Sequence, residues 1–343
     1  MTDTTAFPYT VVGGGAIGGM LAAALLDNGV PVQIVDADPA HVAAIRAGGL
    51  RVVSAEGTRT AWVPAFGLDD APAVFGPVLL AVKGQATGSA MAFIAPRLAA
   101  DGFVVSMQNG LNEDEIASVV GAERTVAAFV DLFADVMEPG VVKDGGPGAM
   151  SLGEHAGRFD SARVLKLRDD LRLAGHAVVT PNVLGYLWSK LAFGTMSSVT
   201  ALVDADMYDA VDRHRPTMHG LAAEVIEVAD ALGIPLEDFD AFIVAAYRRG
   251  TDPAVTDATT DGVVAWLASQ PKLRSGVWRD VAVRRRKTEV VAHFAPVIAH
   301  AADLGIEVPL LHELLRLIAA IENGEIVHDD AHLSALDALV TGS

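Results

Sequence analysis

Hydrophobic positions along the chain follow two regimes. In the first half, short apolar runs alternate with longer stretches of helical periodicity. Residues 10–12 and the β-branched run 30–35 read as strands. Residues 20–27 and 41–47 read as helices, the second stopped by Gly48-Gly49. Residues 50–66 read as a β-hairpin turning at Glu56-Gly57. Further strands are expected at 78–82, 103–107 and 125–130, with helices at 88–99 and 113–120. A Gly-rich antiparallel hairpin is expected over 140–152. Such alternation predicts a mostly parallel sheet with helices on both faces. After Val178-Val179-Thr180-Pro181 the pattern turns helical almost to the end. The helical runs 221–232 and 294–304 each close on a glycine and a proline, Gly233 with Pro235 and Gly305 with Pro309.

Composition narrows the class. The chain has 343 residues and carries 25 Lys+Arg against 43 Asp+Glu, a formal net charge of −18. This length suggests two domains, at roughly 100–200 residues each. The acidic excess argues against nucleic acid or an anionic membrane as partner, since both need clustered Lys and Arg. A small anionic substrate stays compatible with it. With no cysteine there is no disulfide, thiol catalysis or thiolate-bound metal. The start of the chain lacks a basic leader pattern. The uncharged run 9–26 is long enough to raise a membrane span, but five glycines within 13–19 fit a strand, turn and helix better. A cytoplasmic location is expected.

The chemistry-bearing signal is Gly13-Gly14-Gly15-Ala16-Ile17-Gly18, a G-x-G-x-x-G placed after a strand and opening a helix. Gly13 permits the tight turn, Gly15 lets a pyrophosphate reach the backbone, and Gly18 allows helix–sheet packing. The helix start presents N–H groups and a positive dipole end to phosphate. Asp36 closes the second strand, where a carboxylate accepts from ribose hydroxyls and repels a 2′-phosphate. NAD is therefore expected as cofactor over NADP. The fold class is α/β: an N-terminal Rossmann-type doubly wound parallel sheet over 1–181, then an all-helical domain over 182–343. The active site is expected between them. Lys83 and Asn109 each follow an apolar strand on the sheet edge that carries the glycine loop. Lys83 would contact ribose or phosphate, and Asn109 the nicotinamide ribose or a substrate oxygen. Each is also readable as a plain strand-end or turn residue.

In the second half, Lys190 lies in a helix that is apolar nearly all round, Leu187-Trp188-Ser189-Lys190-Leu191-Ala192-Phe193. A lysine there is a proton donor with altered basicity or a snorkelling side chain, and periodicity alone leaves both open. The basic run Arg284-Arg285-Arg286-Lys287 reads as part of a solvated helix face spanning 279–289. The histidine spacings contain no metal-binding pair, and no G-x-S-x-G suggests a hydrolase.

With these residues in hand, the chain resembles the ketopantoate reductase (2-dehydropantoate 2-reductase) family from about Tyr9 to about Ile321. The landmarks are the glycine motif, Ala81-Val82-Lys83, Gln108-Asn109-Gly110, Trp188-Ser189-Lys190-Leu191, Thr200-Ala201-Leu202, and Asp280 with Thr288-Glu289. The resemblance implies a Rossmann domain, a helical domain and substrate between them. It implies Lys190 as general acid toward the substrate carbonyl oxygen and Glu289 as an active-site glutamate. Asn109 would lie at nicotinamide and substrate, and Lys83 at the cofactor. It also implies a homodimer.

The sequence departs from the family where asparagines stand four and eight residues after the lysine; here these are Gly194 and Ser198. Gly276 stands at the family's serine position, with Ser275 beside it, and the spacing from Asp280 to Glu289 is one residue longer. Most members prefer NADPH, against the Asp36 reading. Gly194, Ser198 and Ser275 are the candidate substrate contacts. The implied reaction is ketone to secondary alcohol, by resemblance 2-dehydropantoate to pantoate. One alternative is an NAD-dependent dehydrogenase for a bulkier or aromatic secondary alcohol, another hydroxy acid or an opine-like amino acid. A second is a dinucleotide sensor without catalysis.

Overall fold

A computed structural model describes residues 7–341 apart from positions 147 and 271. The chain divides into two compact units, Met1–Val183 and Leu184–Ser343. The first unit is a parallel-sheet α/β domain and the second is helical.

In the first unit the elements run β1 (Tyr9–Val12), α1 (Ala16–Asp27), β2 (Val32–Val35), α2 (Pro39–Gly48), β3 (Leu50–Ser54), β4 (Gly57–Ala61), β5 (Ala65–Phe66) and β6 (Val78–Leu80). Then come α3 (Thr87–Ile94), β7 (Val104–Ser106), α4 (Glu113–Val120), β8 (Thr125–Asp131), β9 (Ala134–Glu138), β10 (Val141–Asp144), β11 (Ala149–Glu154), α5 (Ala162–Asp170) and β12 (His176–Val179). The main sheet has the order β12-β11-β8-β7-β6-β1-β2-β5. From β5 to β8 every pairing is parallel, and β11 enters antiparallel beside β8. A second sheet has the order β4-β3-β10-β9.

Helix α1 explains why two sheets coexist. It is apolar all round, the signature of a helix with no solvent face, and Met20 through Leu25 are buried. Gly18 faces β1: a Cβ there would lie 1.9 Å from the Gly13 carbonyl oxygen and 2.9 Å from Val11 Cγ1. Gly19 faces the second sheet: a Cβ there would lie 3.0 Å from Val142 Cγ1 and 3.5 Å from Leu50 Cδ2. Two adjacent glycines thus let one helix touch both sheets.

Three sequence expectations change. Residues 140–152 do not pair with one another. β10 joins β3 and β9 in the second sheet, while β11 joins β8 in the main sheet. The intervening glycines serve crossing, not turning. A Cβ on Gly148 would lie 2.2 Å from the Asp131 carbonyl oxygen, and one on Gly145 would lie 2.5 Å from Phe133 Cβ. The hairpin expected over 50–66 ends at Ala61, where β3 and β4 stop pairing. Ala65–Phe66 then runs parallel to β2 as the sheet edge. Third, 279–289 is not one helix face. Arg279–Val283 is a π-helical turn, and Arg285 adopts a left-handed φ of 50°. Arg284 and Arg286 both turn onto the buried Asp280, at 3.0 and 2.9 Å. An internal carboxylate needs such partners, and it draws two of the four basic side chains to itself.

The second unit contains α6 (Val183–Val199), α7 (Met207–Arg213), α8 (Arg215–Ala231), α9 (Pro253–Ser269), the short turn α10 (Gly276–Trp278), α11 (Val290–Leu304), α12 (Pro309–Glu322) and α13 (Ala331–Thr341). Buried Glu224 on α8 accepts from the Leu310 and Leu311 N–H groups at 2.9 and 2.8 Å, capping α12 from a neighbouring helix. His214 and Thr217 hold Asp337, fastening α13 to α8.

Close packing at Gly18 sets a stability test. Gly18→Ala is expected to lower stability by about 2–3 kcal/mol, because the carbonyl it meets is backbone and must move. Gly262→Ala is the control: it sits inside α9 with nothing within 4 Å of a new Cβ, and a gain of about 0.5–1 kcal/mol is expected. Urea midpoints of the two variants check both.

Candidate functional site

The glycine loop leaves β1 at Gly13, whose φ of +95° suits only glycine. A Cβ there would also lie 2.8 Å from Val82 N. At Gly14 a Cβ would lie 2.5 Å from Ile34 Cγ2. Gly15 differs: a Cβ there would have Val136 Cγ2, at 4.0 Å, as its nearest neighbour. Nothing in the fold requires glycine at 15 for packing, so the open space is left for something else. Gly15 also caps α1 without a side-chain acceptor, and the first turn carries no acidic residue. The first N–H groups of the helix have no intrahelical partner. An open glycine beside unclaimed helix-start donors is the arrangement a pyrophosphate needs.

Asp36 follows β2 and is half-buried. Its carboxylate accepts from Gly14 N–H at 2.6 Å and from Asp38 N–H at 2.8 Å. Beyond the ribose role read from sequence, it therefore ties the end of β2 to the glycine loop. His41 on α2 adds a second tie. Its Nε2–H donates to the Gly14 carbonyl at 2.9 Å, and its Nδ1 accepts from Gly140 N–H at 3.1 Å. Sequence reading passed over His41, since nothing local marks a helix residue that contacts a turn 99 positions away.

Lys83 is half-buried and opens a short 3₁₀ turn after β6. Asn109 is exposed in the turn after β7, where Gly110 has a φ of +89°. The adjacency of β7, β6, β1 and β2 brings Asn109, Lys83, the glycine loop and Asp36 to one edge of the parallel strands. Beneath the Lys83 and Asn109 turns lies a polar network. Gln108 Nε2 donates to the Val82 carbonyl at 3.1 Å and to Thr87 Oγ1 at 2.8 Å. Thr87 Oγ1 donates to Asn112 Oδ1 at 3.3 Å, and Asn112 Nδ2 donates to the Asn109 carbonyl at 2.9 Å. Glu113, 2% exposed, accepts from Asn112 N–H at 3.0 Å. Burial pushes its carboxyl up to about 7, against the Ser106 hydroxyl and backbone donors that favour ionisation. In the sequence it read only as an acid opening a helix.

In the second unit, α6 from Gly185 on is buried except along one line. Tyr186, Lys190, Phe193, Gly194 and Ser197 are half-buried, while Leu187, Trp188, Ser189, Leu191, Ala192, Thr195, Met196 and Ser198 are buried. Lys190 is thus on the open line, and neither a core residue nor a fully solvated one. Gly194, one turn on, shares this line; a Cβ there would have only Phe294 Cζ near it, at 3.8 Å. Phe294 belongs to α11 and is 1% exposed. Glu289 is the residue just before α11 and is half-buried, its Oε1 3.9 Å from His293 Nε2. Glu322 fixes this segment by accepting from Thr288 N–H at 2.8 Å and Thr288 Oγ1–H at 2.6 Å. Ser275 is buried, and its hydroxyl accepts from Trp278 N–H at 3.1 Å, a capping contact for α10. Among the described residues, no group of three or more His, Asp or Glu is placed to hold a metal ion.

Both halves of the chain match known proteins. The sequence pattern of Ketopantoate reductase PanE/ApbA matches residues 9–157, and that of Ketopantoate reductase PanE/ApbA C terminal matches residues 182–322. A 2-dehydropantoate 2-reductase of Halobacterium salinarum is 26% identical over 316 residues, covering 90% of this chain and 96% of that protein. One from Mesorhizobium japonicum is 29% identical over 251 residues, covering 66% of this chain and 76% of its own length. A PanE/ApbA family ketopantoate reductase from Ralstonia eutropha superimposes with a TM-score of 0.77 at 25% identity, covering 92% of this chain and 99% of the other. D-mandelate dehydrogenase, in a ternary structure with NADH and anilino(oxo)acetate, shares the fold with a TM-score of 0.79 at 21% identity, over 92% and 99% of the two chains. With both halves matched along most of their length, the chain belongs to the ketopantoate reductase PanE/ApbA family of NAD(P)-dependent oxidoreductases.

Proposed function

We propose that this protein interconverts a 2-oxo acid and its 2-hydroxy acid, with NAD(H) as redox partner and Lys190 as general acid/base. The observation that carries the cofactor half is the open space at Gly15 beside the uncapped start of α1. Residues 13–18 would hold the pyrophosphate, Asp36 the adenosine ribose, and Lys83 and Asn109 the remainder. The dinucleotide, when bound, exchanges a hydride with the substrate's carbonyl carbon. Lys190 gives a proton to the carbonyl oxygen in reduction and takes it back in oxidation. Glu289 orients substrate and lysine. The Asp36 carboxylate disfavours a 2′-phosphate, so NADH is the reading over NADPH.

The curated relatives act on 2-dehydropantoate, which supports that substrate. A specific observation favours a bulkier one. Gly194 removes an amide where the family has asparagine, and among the described residues the one side-chain atom within 4 Å of a Cβ there belongs to the Phe294 ring. A buried polyol without that amide loses a hydrogen-bond partner, whereas an aromatic group gains a wall. D-mandelate dehydrogenase shows that this fold carries chemistry on an aromatic hydroxy acid. We therefore favour a 2-oxo acid with an aromatic or similarly bulky side chain, acting in a homodimer.

Steady-state rates with 2-dehydropantoate and with phenylglyoxylate, each with NADH and NADPH, test the reading directly. A higher kcat/KM for phenylglyoxylate with NADH is expected. Gly194→Asn is expected to move the preference toward 2-dehydropantoate by roughly 10–100-fold. Lys190→Ala is expected to lower kcat by about 10²–10⁴-fold with unchanged NADH affinity. Full turnover in that variant removes the lysine from the mechanism. Gly15→Ala is expected to weaken NADH binding at least tenfold, read by fluorescence titration, while its urea midpoint stays within about 0.5 kcal/mol of the parent.

A further inference from the structure

We propose that Glu113 is a positioning residue for dinucleotide binding, acting through the buried network that holds the Asn109 and Lys83 turns. The inference rests on the reading of the first unit as a dinucleotide site. Among the described residues, three buried side-chain oxygens here lack a well-formed hydrogen bond, Ser106 Oγ, Gln108 Oε1 and Glu113 Oε1, although the Ser106 hydroxyl lies near enough to Glu113 to act on its carboxyl. Their side chains are 0%, 4% and 2% exposed. Ser106 is the last residue of β7, and Gln108 follows it by two positions in the turn beyond the strand. Glu113 opens α4 next to them. Two of the three, Gln108 Oε1 and ionised Glu113 Oε1, can only accept. The Ser106 hydroxyl brings one donor, which can serve only one of the two acceptors at a time, and a protonated Glu113 supplies a second.

The consequence reaches the surface through one residue. Asn112 gives its backbone N–H to Glu113 Oε2 and its side-chain Nδ2–H to the Asn109 carbonyl. Through Thr87 and Gln108 the same network reaches the Val82 carbonyl, immediately before Lys83. An ionised Glu113 is a buried charge with no cation against it, which costs several kcal/mol unless water enters. Around it, Asp114 on its own helix adds a like charge, itself paired with His155 at 3.1 Å. Glu115 lies toward the start of α3, at Gly88. α3 itself and β7 carry no charged residue, and β8 carries only Asp131, at its far end. Glu123 and Arg124 follow α4, with Arg124 bonded to the Gly102 and Ala99 carbonyls.

The proton's influence on stability has a definite sign. The carboxyl lies near 7 in the folded protein against an ordinary 4.5. Between those values the folded state keeps a proton that the unfolded chain gives up, so Glu113 makes stability fall as pH rises through that window and level off above it. Binding should follow the folded-state value: above pH 7 the NADH dissociation constant rises by up to about tenfold per pH unit.

Fluorescence titration with NADH from pH 6 to 8.5 tests this on wild-type, Glu113→Gln and Glu113→Ala protein. Expected are loss of affinity above pH 7 in the wild type, affinity in Glu113→Gln with that pH dependence removed, and weak binding at every pH in Glu113→Ala. The infrared absorption of protonated carboxyls at pH 6 should be weaker by one group in Glu113→Gln than in the wild type, buried Glu224, also raised to about 7, contributing equally to both. A Gln variant that keeps the wild-type pH profile overturns the proposal, as does the absence of that infrared difference. If Glu113→Ala does not fold, the Gln profile and the infrared band still decide. Wild-type protein that binds no NADH at any pH overturns the dinucleotide reading itself, and the proposal with it; normal binding with an unchanged Gln profile overturns the proposal alone.

Discussion

Helix α1 begins where a sheet lies on each side of it, with no room for a Cβ at Gly18 and only a tight fit for one at Gly19. Gly18 meets the backbone of Gly13 and the side chain of Val11, while Gly19 meets Val142 and Leu50 of the other sheet. These two contacts fix the height of the helix start above β1 and β3. They also decide where its first N–H groups emerge. Because α1 is held close against β1 at Gly18 and lies tight on the second sheet at Gly19, the space beside Gly15 is well defined, and an anion there would meet donors already aimed. Preorganised donors gain binding energy that mobile ones lose to ordering.

The rest of the sheet edge is braced to the same loop from the side. Asp36 and His41 grip Gly14 at its N–H and at its carbonyl, from β2 and from α2. His41 extends the brace to Gly140, at the turn between β9 and β10 of the second sheet. On the other side of β1, the Gln108–Thr87–Asn112 chain joins the turns after β6 and β7. Each turn that bears a candidate cofactor contact is therefore tied to a neighbour by a buried or half-buried polar side chain. This matters because turns are otherwise the most mobile parts of a fold.

Much of this was legible in the sequence, for reasons that differ by residue. The glycine motif, the acid after the second strand and the β/α alternation are local patterns with local causes. They led to the parallel sheet and to the helical character of the second half. What stayed hidden depends on contacts between distant segments. The glycines of 140–152 look like turn formers, yet they are small because the chain crosses Asp131 and Phe133 on its way between sheets. Arg284 and Arg286 look like part of one solvated helix face; they stay exposed, but the π-helical turn sets both guanidinium groups on the buried Asp280. Glu113 looks like a helix-start acid, and only its burial shows otherwise. Periodicity left Lys190 between core and surface; the burial of α6 around it places it on a narrow half-open line.

The absence of a side chain carries different information at three glycines. At Gly18 a Cβ would strike backbone, so packing explains the residue. At Gly15 no neighbour comes closer than 4.0 Å, and the adjoining helix start explains the space as a ligand's. Gly194 resembles the second case. It sits inside a 17-residue helix, where glycine costs about 1 kcal/mol relative to alanine. Its φ is not in the left-handed region, and its one near neighbour is a ring edge at ordinary contact distance. Neither backbone conformation nor packing therefore accounts for that cost. The substrate of the proposed function would account for it, and the side chain beside the space, Phe294, is aromatic and buried. In the proposed function, the size and polarity of the substrate's side chain would be set one helical turn from Lys190, by an atom the protein leaves out.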